Sequence, residues 1–331
     1  MCPRTALRNQ WNSMSMPFKV FQKISHDFGY TNLVYLSGWG EPLLNPRIHD
    51  MINIAKDRGC SVGFTTNGLL LTEKKAKSLI QAGLDILSIS VAGATKETHE
   101  TIRAGSHFEQ TMKNITSLVR LKKNTGVVYP KVLLLFLMTK GNLKELPLAV
   151  RLAADLEVDE IVATNLAYVV TPYHDQIKAF SHEREELELE KIIGEAERLA
   201  KNLDVKFRSS QLITEEALIC EEDPLHNVYV SCEGFVSPCV YLNPPVKDFF
   251  PRIFCGRKHV LPRTYFGKIR EEGLLEIWKK EEYQAFRRKF EKRLTLKEMI
   301  FRFEDLERFR EEMISSPLPE PCKTCYKAFS V

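Results

Sequence analysis

The chain has no apolar run long enough to cross a bilayer. Its longest, Val132 to Met138, spans seven residues against the roughly 20 that a membrane helix needs, and reads as a buried strand. No secretory signal is read at the start. One-signed charge is also scarce: 47 Lys and Arg face 43 Asp and Glu, a formal net charge of +4. The two signs are interleaved, as in Glu281 to Arg293, which describes a solvated helix face rather than a nucleic-acid surface. Eight cysteines in a chain without secretory features point to metal or redox chemistry in a reducing compartment rather than to disulfides. A cytoplasmic protein is expected, with neither a membrane nor nucleic acid as partner.

With 331 residues, 44% apolar and 27% charged, the chain can bury a sizeable core and is expected to hold two domains. Its first two thirds alternate helix and strand. After a helical stretch at 18–28 come strands at 32–37, 61–65, 85–91, 131–138 and 159–164. Helices at 46–58, 73–82, 95–103, 108–123 and 143–156 lie between them. Alternation of this kind builds a parallel sheet, closed or open, with ligands at the carboxyl ends of the strands. A long charged helix, 183–202, follows. From about Ser209 the character changes to a short hairpin (228–240), loops rich in Pro and Cys, and helices at 272–291 and 295–314.

Polar residues collect where the strands end. The first strand runs into Ser37-Gly38-Trp39-Gly40-Glu41-Pro42, where glycine removes the side chains that would keep a ligand from the backbone and Glu41 offers an acceptor to a cationic group such as an amine. The next two end in Thr66-Asn67-Gly68 and in Ala92-Gly93. In the last third, Cys220 and Cys239 flank Gly234, with thirteen residues before it and four after, and Cys322-Lys323-Thr324-Cys325 lies near the end. Four thiolates in two distant pairs suit one metal centre. Spacing alone places a tetrahedral zinc staple slightly ahead of an iron–sulfur cluster. Cys232 and Cys255 are further candidate ligands or buried thiols, and Cys60 reads as a core residue.

Taken together, these residues resemble the radical S-adenosylmethionine enzymes that carry a C-terminal SPASM or twitch auxiliary-cluster domain, over nearly the whole chain. The resemblance implies a partial (β/α)6 TIM-like barrel lacking its first strand in residues 1–208, and a small α+β cysteine-rich domain in 209–331. Gly38, Gly40, Glu41 and Pro42 look like the loop that binds the methionine amine of the cofactor, and Asn67 looks like the family's next strand end. Ser90 and Arg103 lie in a segment similar to the one that contacts ribose and carboxylate. Met138 and Asn142 fall where the family places adenine-side and cofactor-positioning groups, and Asn165-Leu166 resembles its last adenine contact. Cys220, Gly234 and Cys239, followed by Tyr265-Phe266-Gly267-Lys268-Ile269 and Leu275-Glu276-Ile277-Trp278, match the auxiliary domain. With these matches an auxiliary 4Fe-4S cluster on Cys220, Cys239, Cys322 and Cys325 moves ahead of zinc.

In one respect the chain departs from the pattern. The family holds its catalytic 4Fe-4S cluster with three cysteines, whereas here only Cys2 matches, so the ligand set is incomplete. The reading taken is that Met1 is an internal methionine just before the third cysteine, with a non-catalytic binding protein as the alternative. The resemblance implies a reductant such as ferredoxin or flavodoxin and a deoxyadenosyl radical that abstracts hydrogen from a substrate. A peptide or protein substrate, in a maturase, is preferred over a small-molecule cofactor or tetrapyrrole pathway. Structural alternatives stand beside each site residue: Glu41 as a helix cap, Ser90 as a satisfied polar group, and Arg103 paired with Glu97 or Glu100. Tyr168, Tyr173, His174 and His107 are possible pocket residues.

Overall fold

The computed structural model describes residues 2–181, 187–296 and 306–331. It divides into two compact units. The first comprises Ser25–Leu166 and Ile177–Leu212, the second Cys2–Ile24, Ala167–Gln176 and Ile213–Val331.

Six parallel strands form the first unit, in sequential order: β1 (Leu33–Tyr35), β2 (Ser61–Thr66), β3 (Ile86–Val91), β4 (Lys131–Met138), β5 (Glu160–Asn165) and β6 (Lys206–Ser209). Besides α1 (Pro3–Ala6), α2 (Phe18–Ser25) and α8 (Pro172–Ile177), the helices up to Asn202 are the crossovers of this sheet: α3 (Ile48–Asp57), α4 (Glu73–Gln81), α5 (Lys96–Ile102), α6 (Phe108–Thr125), α7 (Leu146–Asp155) and α9 (Leu187–Asn202). Along β4 burial alternates strictly. Val132, Leu134, Phe136 and Met138 are fully buried, while Lys131, Leu133, Leu135 and Leu137 are half-buried. Successive side chains point to opposite faces, so the first set faces the helices and the second lines the other face of the sheet. Five of the strands lie where the sequence places them, and β6 is a sixth. It holds one apolar residue, Phe207, between Lys206 and Arg208. Charged side chains of this kind blunt an edge strand, and Arg208 pairs with Glu160 of β5. The long charged helix expected from 183 is described from Leu187.

The amino ends of the strands are fastened by one device used twice. Asp85, just before β3, accepts the Val62 N–H of β2 at 2.7 Å and takes Lys56 of α3 at 2.7 and 2.9 Å. Asp159, just before β5, accepts the Val132 N–H of β4 at 2.8 Å and takes Lys122 of α6 at 3.0 Å and Lys131 at 3.2 Å. Each aspartate ties together two neighbouring strands and the helix that leads into the first of them.

The second unit is antiparallel. Strands β7 (Tyr229–Val230), β8 (Phe235–Ser237) and β11 (Gly267–Lys268) form one sheet in the order β11-β8-β7. Gly234 sits in the β7–β8 turn with φ +87°, a conformation that favours glycine. Where loops were expected there is a second hairpin, β9 (Phe249–Phe254) with β10 (Arg257–Pro262), turning at Cys255 and Gly256, both with positive φ. The helix expected over 272–291 is two: α10 (Leu274–Trp278), capped at Gly273, and α11 (Glu281–Leu294). Of the helix expected over 295–314, residues 297–305 lie outside the described residues, and α12 runs Leu306–Ser315. Aromatic packing supplies the core: Phe266 stacks on Tyr283 at 4.3 Å, and the Arg287 guanidinium lies 3.8 Å from the Trp278 ring. Arg293, wholly buried, donates to the carbonyls of Ala217, Leu218 and Ser316 and pairs with Glu216. The guanidinium thereby ties a loop to the end of α12.

Candidate functional site

At the carboxyl ends of the strands, backbone loops are held by side chains of their neighbours. Glu41 is the first of these. Its Oε1 accepts the Leu43 N–H at 3.1 Å and the Thr66 hydroxyl at 2.6 Å, and its Oε2 accepts the Asn67 N–H at 2.9 Å. The carboxylate therefore caps the 3-10 turn Pro42–Leu44 and joins the loop after β1 to the loop after β2. It does not cap α3, whose N-cap is Arg47. Pro42 is buried in that turn, and Gly38 and Gly40 are exposed. A Cβ built on Gly40 meets nothing within 4 Å. Nothing in the packing of the described residues requires glycine there, so the loop leaves open space where a ligand can approach. Asn67 turns its own loop, its Oδ1 accepting the Leu69 N–H at 2.9 Å.

The loop after β3 is fastened from three directions. His99, 1% exposed, accepts the Ala92 N–H on Nδ1 at 3.3 Å. Asn142 donates to the Ala92 carbonyl at 2.9 Å and the Leu137 carbonyl at 2.7 Å, while its Oδ1 accepts the Thr139 N–H and hydroxyl. Its amide is saturated by the protein, so it links the ends of β3 and β4. Glu145 accepts the Ala94 N–H at 2.8 Å and the hydroxyls of Thr95 and Thr98. Gly93 allows this packing, because a Cβ there would lie 2.5 Å from the His99 nitrogen. Burial, assisted by the Arg103 charge, lowers the His99 pKa to about 4. Arg103 itself ends α5, donating its N–H to the His99 carbonyl, while Glu100 caps α6 through the Phe108 N–H. Sequence reasoning missed His99 and Glu145. Their signal was slight: two polar residues in short helical segments beside strand ends.

The remaining rim residues divide by face. Ser90, half-buried, pairs in register with Leu135 on the face away from the helices. Met138 and Asn165 are register partners on the helix-covered face, 0% and 6% exposed. Asn165 donates to the Gln211 carbonyl at 2.7 Å, and its buried Oδ1 has no hydrogen-bond partner among the described residues. Leu166, next in the chain, is buried. An orphaned amide acceptor, a Cβ-free loop and a half-buried serine are features compatible with a nucleoside cofactor at these strand ends.

In the second unit Cys322 and Cys325 are buried and Cys220 and Cys239 half-buried. Burial raises Cys239 well above the ordinary thiol range, with Glu222 and the other three cysteines adding to it. Cys322 is raised by burial and by Cys325 and Cys220, against a lowering from Arg252 and Lys289. Burial and Cys325 push Cys220 up to about 12. Four soft thiols, two buried and two half-buried, are donors of a kind that can exchange their protons for a metal. Among the described residues no three His, Cys, Asp or Glu groups stand together as a ready metal site. Cys232, near Glu233, is raised chiefly by burial. Cys255 is exposed in the β9–β10 turn, and Cys60 is a core thiol, 1% exposed, directed at the carbonyls of Phe28 and Thr31.

Cys2 is exposed at the start of the short helix α1 (Pro3–Ala6). One thiolate does not hold a four-iron cluster, so the described residues do not complete a catalytic cluster site. A cavity of about 460 Å3 lies within the second unit, lined by Trp11, Phe235, Tyr265, Glu233, Asp248 and Arg263 among others. None of the suggested pocket residues lines it. Tyr168 packs against Tyr241 and Phe250, His174 is buried, and Tyr173 and His107 are exposed.

Comparison with known proteins gives the fold a family. Residues 2–153 match the model of the radical SAM superfamily, and residues 220–326 match SPASM, an iron–sulfur cluster-binding domain, so iron–sulfur takes precedence over zinc. The tungsten-containing aldehyde ferredoxin oxidoreductase cofactor-modifying protein of Pyrococcus furiosus is 30% identical over 278 residues, 82% of this chain and 75% of that one. The AdoMet-dependent heme synthase of Methanosarcina barkeri is 27% identical over 274 residues, 77% and 70% of the two chains. Among solved structures, Streptococcus suis SuiB bound to S-adenosylmethionine superposes with a TM-score of 0.61 at 15% identity, over 84% of this chain and 62% of SuiB. This chain therefore spans less than two thirds of SuiB. The chain belongs to the radical SAM superfamily and carries a C-terminal SPASM domain, in an enzyme family whose cofactors are S-adenosylmethionine and four-iron four-sulfur clusters.

Proposed function

We propose that this protein is a maturase, using radical chemistry to modify a peptide or protein partner, including the cofactor-bearing form of a metalloenzyme. The observation that carries this reading is the alignment with the cofactor-modifying protein of Pyrococcus furiosus, which runs over 82% of the chain. The SuiB structure bound to the precursor peptide SuiA has the same fold, with a TM-score of 0.59, which supports a peptide as the substrate class. In this reading Gly38, Gly40, Glu41, Pro42 and Asn67 hold the methionine end of S-adenosylmethionine, and Ser90 and Arg103 hold its ribose and carboxylate. Asn165 and Leu166 meet the adenine. Asn142 and Met138 act behind them, the first by fixing the Ala92 loop and the second by packing under it. Cys220, Cys239, Cys322 and Cys325 hold the auxiliary cluster, and a ferredoxin- or flavodoxin-type reductant supplies electrons.

A second reading, modification of a free small molecule, is favoured by the heme synthase and by the probable GTP 3′,8-cyclase of Methanococcus maripaludis, 26% identical over 269 residues. Affinity capture from the native host separates the two. Retention of a specific metalloenzyme or peptide, and a mass change in it after anaerobic incubation with S-adenosylmethionine and reductant, is expected for a maturase. A mass change confined to the small-molecule fraction would select the second reading.

A further inference from the structure

Arg252 lies in β9 and is 2% exposed. One guanidinium nitrogen donates to the Pro321 carbonyl at 2.8 Å and another to the Tyr241 carbonyl at 3.1 Å. Pro321 directly precedes Cys322, and Tyr241 lies two residues after Cys239. The same side chain thus grips the backbone beside one cysteine of each distant pair. The buried guanidinium groups of Arg263 and Arg293 have carboxylate partners, Glu233 and Glu216, whereas Arg287, also buried, donates to the Trp278 carbonyl and lies 3.8 Å from the Trp278 ring. Among the described residues no carboxylate stands within ion-pair distance of Arg252. Its plane lies over the Phe250 ring at 5.4 Å, which offers only partial compensation.

A buried guanidinium without a counter-charge is costly. An iron–sulfur centre held by four thiolates carries net negative charge, which would complete the pair.

We propose that Arg252 is the positioning and charge-compensating residue of the auxiliary iron–sulfur centre, bridging the Tyr241 and Pro321 carbonyls beside Cys239 and Cys322 and stabilising the reduced, more negative state. This inference rests on the reading that Cys220, Cys239, Cys322 and Cys325 hold that centre. Lysine in its place keeps the charge and loses the two-carbonyl bridge, whereas methionine loses both.

The test uses the full 331-residue chain, reconstituted anaerobically with iron and sulfide in a Cys2→Ser background so that the signal comes from the C-terminal cysteines. In Arg252→Met the reduction equilibrium should shift at least tenfold toward the oxidised form, about 59 mV for one electron, in an EPR-monitored titration. Arg252→Lys should hold its potential near the parent value but release iron to a chelator several-fold faster. Parent-like potential in Arg252→Met together with parent-like iron release in Arg252→Lys overturns the proposal. Should Arg252→Met not fold, the release rate of Arg252→Lys decides, and an unchanged rate overturns the bridge. A parent protein that takes up no iron instead removes the reading beneath it, which keeps the two failures apart.

Discussion

Glycine at positions 40 and 93 does two different jobs, and the difference can be measured. At Gly93 the chain's own backbone fills the space where a Cβ would go, 2.5 Å from the His99 nitrogen. Gly93→Ala is expected to cost roughly 2 kcal/mol or more, because backbone rather than a flexible side chain must move. At Gly40 the space is open, so Gly40→Ala should leave stability within about 0.5 kcal/mol while weakening S-adenosylmethionine binding in a calorimetric titration. Equal affinity in Gly40→Ala would show that the ligand does not approach this backbone. Glu41 combines both roles. Removing its carboxylate strands the Asn67 and Leu43 N–H groups, at a cost of about 1–3 kcal/mol for the donors that remain dry. Glu41→Ala should therefore lower the urea midpoint as well as cofactor affinity, and Glu41→Gln, which keeps an acceptor for two of the three donors, should recover most of the stability. If Glu41→Ala is as stable as the parent, the crosslink between the first two loops does not exist in solution.

Single elements carry the pH response. His99 accepts the Ala92 N–H while neutral, and its pKa is lowered to about 4 by burial and Arg103. The unfolded chain titrates near 6.5 and so binds more protons between these values. Stability contributed by neutral His99 is complete above about pH 6.5 and is lost as pH falls toward 4, by up to ~1.4 kcal/mol per pH unit. Comparison of urea midpoints at pH 7 and pH 5 should show this fall in the parent and a shallower one in His99→Gln. Asp159 responds lower on the scale. Burial alone raises its carboxyl, but the Val132 N–H, Lys122 and Lys131 outweigh burial and hold it below the ordinary value. Its stabilisation is present above the unfolded value near 3.8 and disappears as pH drops through the folded one. Asp159→Asn should cost about 1–2 kcal/mol at pH 7 and leave β4 and β5 the first strands to exchange amide protons. Uniform exchange across the sheet would argue against the staple.

At the scale of the whole molecule the two halves of the cofactor chemistry separate. The second unit offers the thiols of Cys220, Cys239, Cys322 and Cys325, while Cys2 stands exposed before α1, where the proposed reading puts one ligand of the catalytic cluster. Anaerobic reconstitution is expected to load iron that Cys239→Ser abolishes and Cys2→Ser does not. The same preparation is expected to form no deoxyadenosine from S-adenosylmethionine under dithionite, because one thiolate leaves the catalytic cluster unheld. Robust deoxyadenosine formation would show that other residues complete that site.

Periodicity and residue type were enough to read β1 to β5, their polar ends and the four paired cysteines, because alternation and spacing are local properties of a chain. Strand β6 was not legible, since four residues with a single apolar side chain have no pattern of their own and exist as a strand only because β5 presents an unpaired edge at Glu160 to Ala163. The β9–β10 hairpin was hidden for a related reason: its turn uses Cys255 at positive φ, a conformation that residue type does not announce. Among the rim residues, the loop that closes the first strand named Glu41, and the family resemblance named Asn142. Only the folded chain decided that Asn142 spends its whole amide on Ala92, Leu137 and Thr139, that His99 and Glu145 return to hold the same loop, and that Asn165 keeps a buried acceptor with no partner among the described residues. Hydrogen-bond capacity is a property of a residue, but its allocation depends on which strand ends the sheet brings side by side.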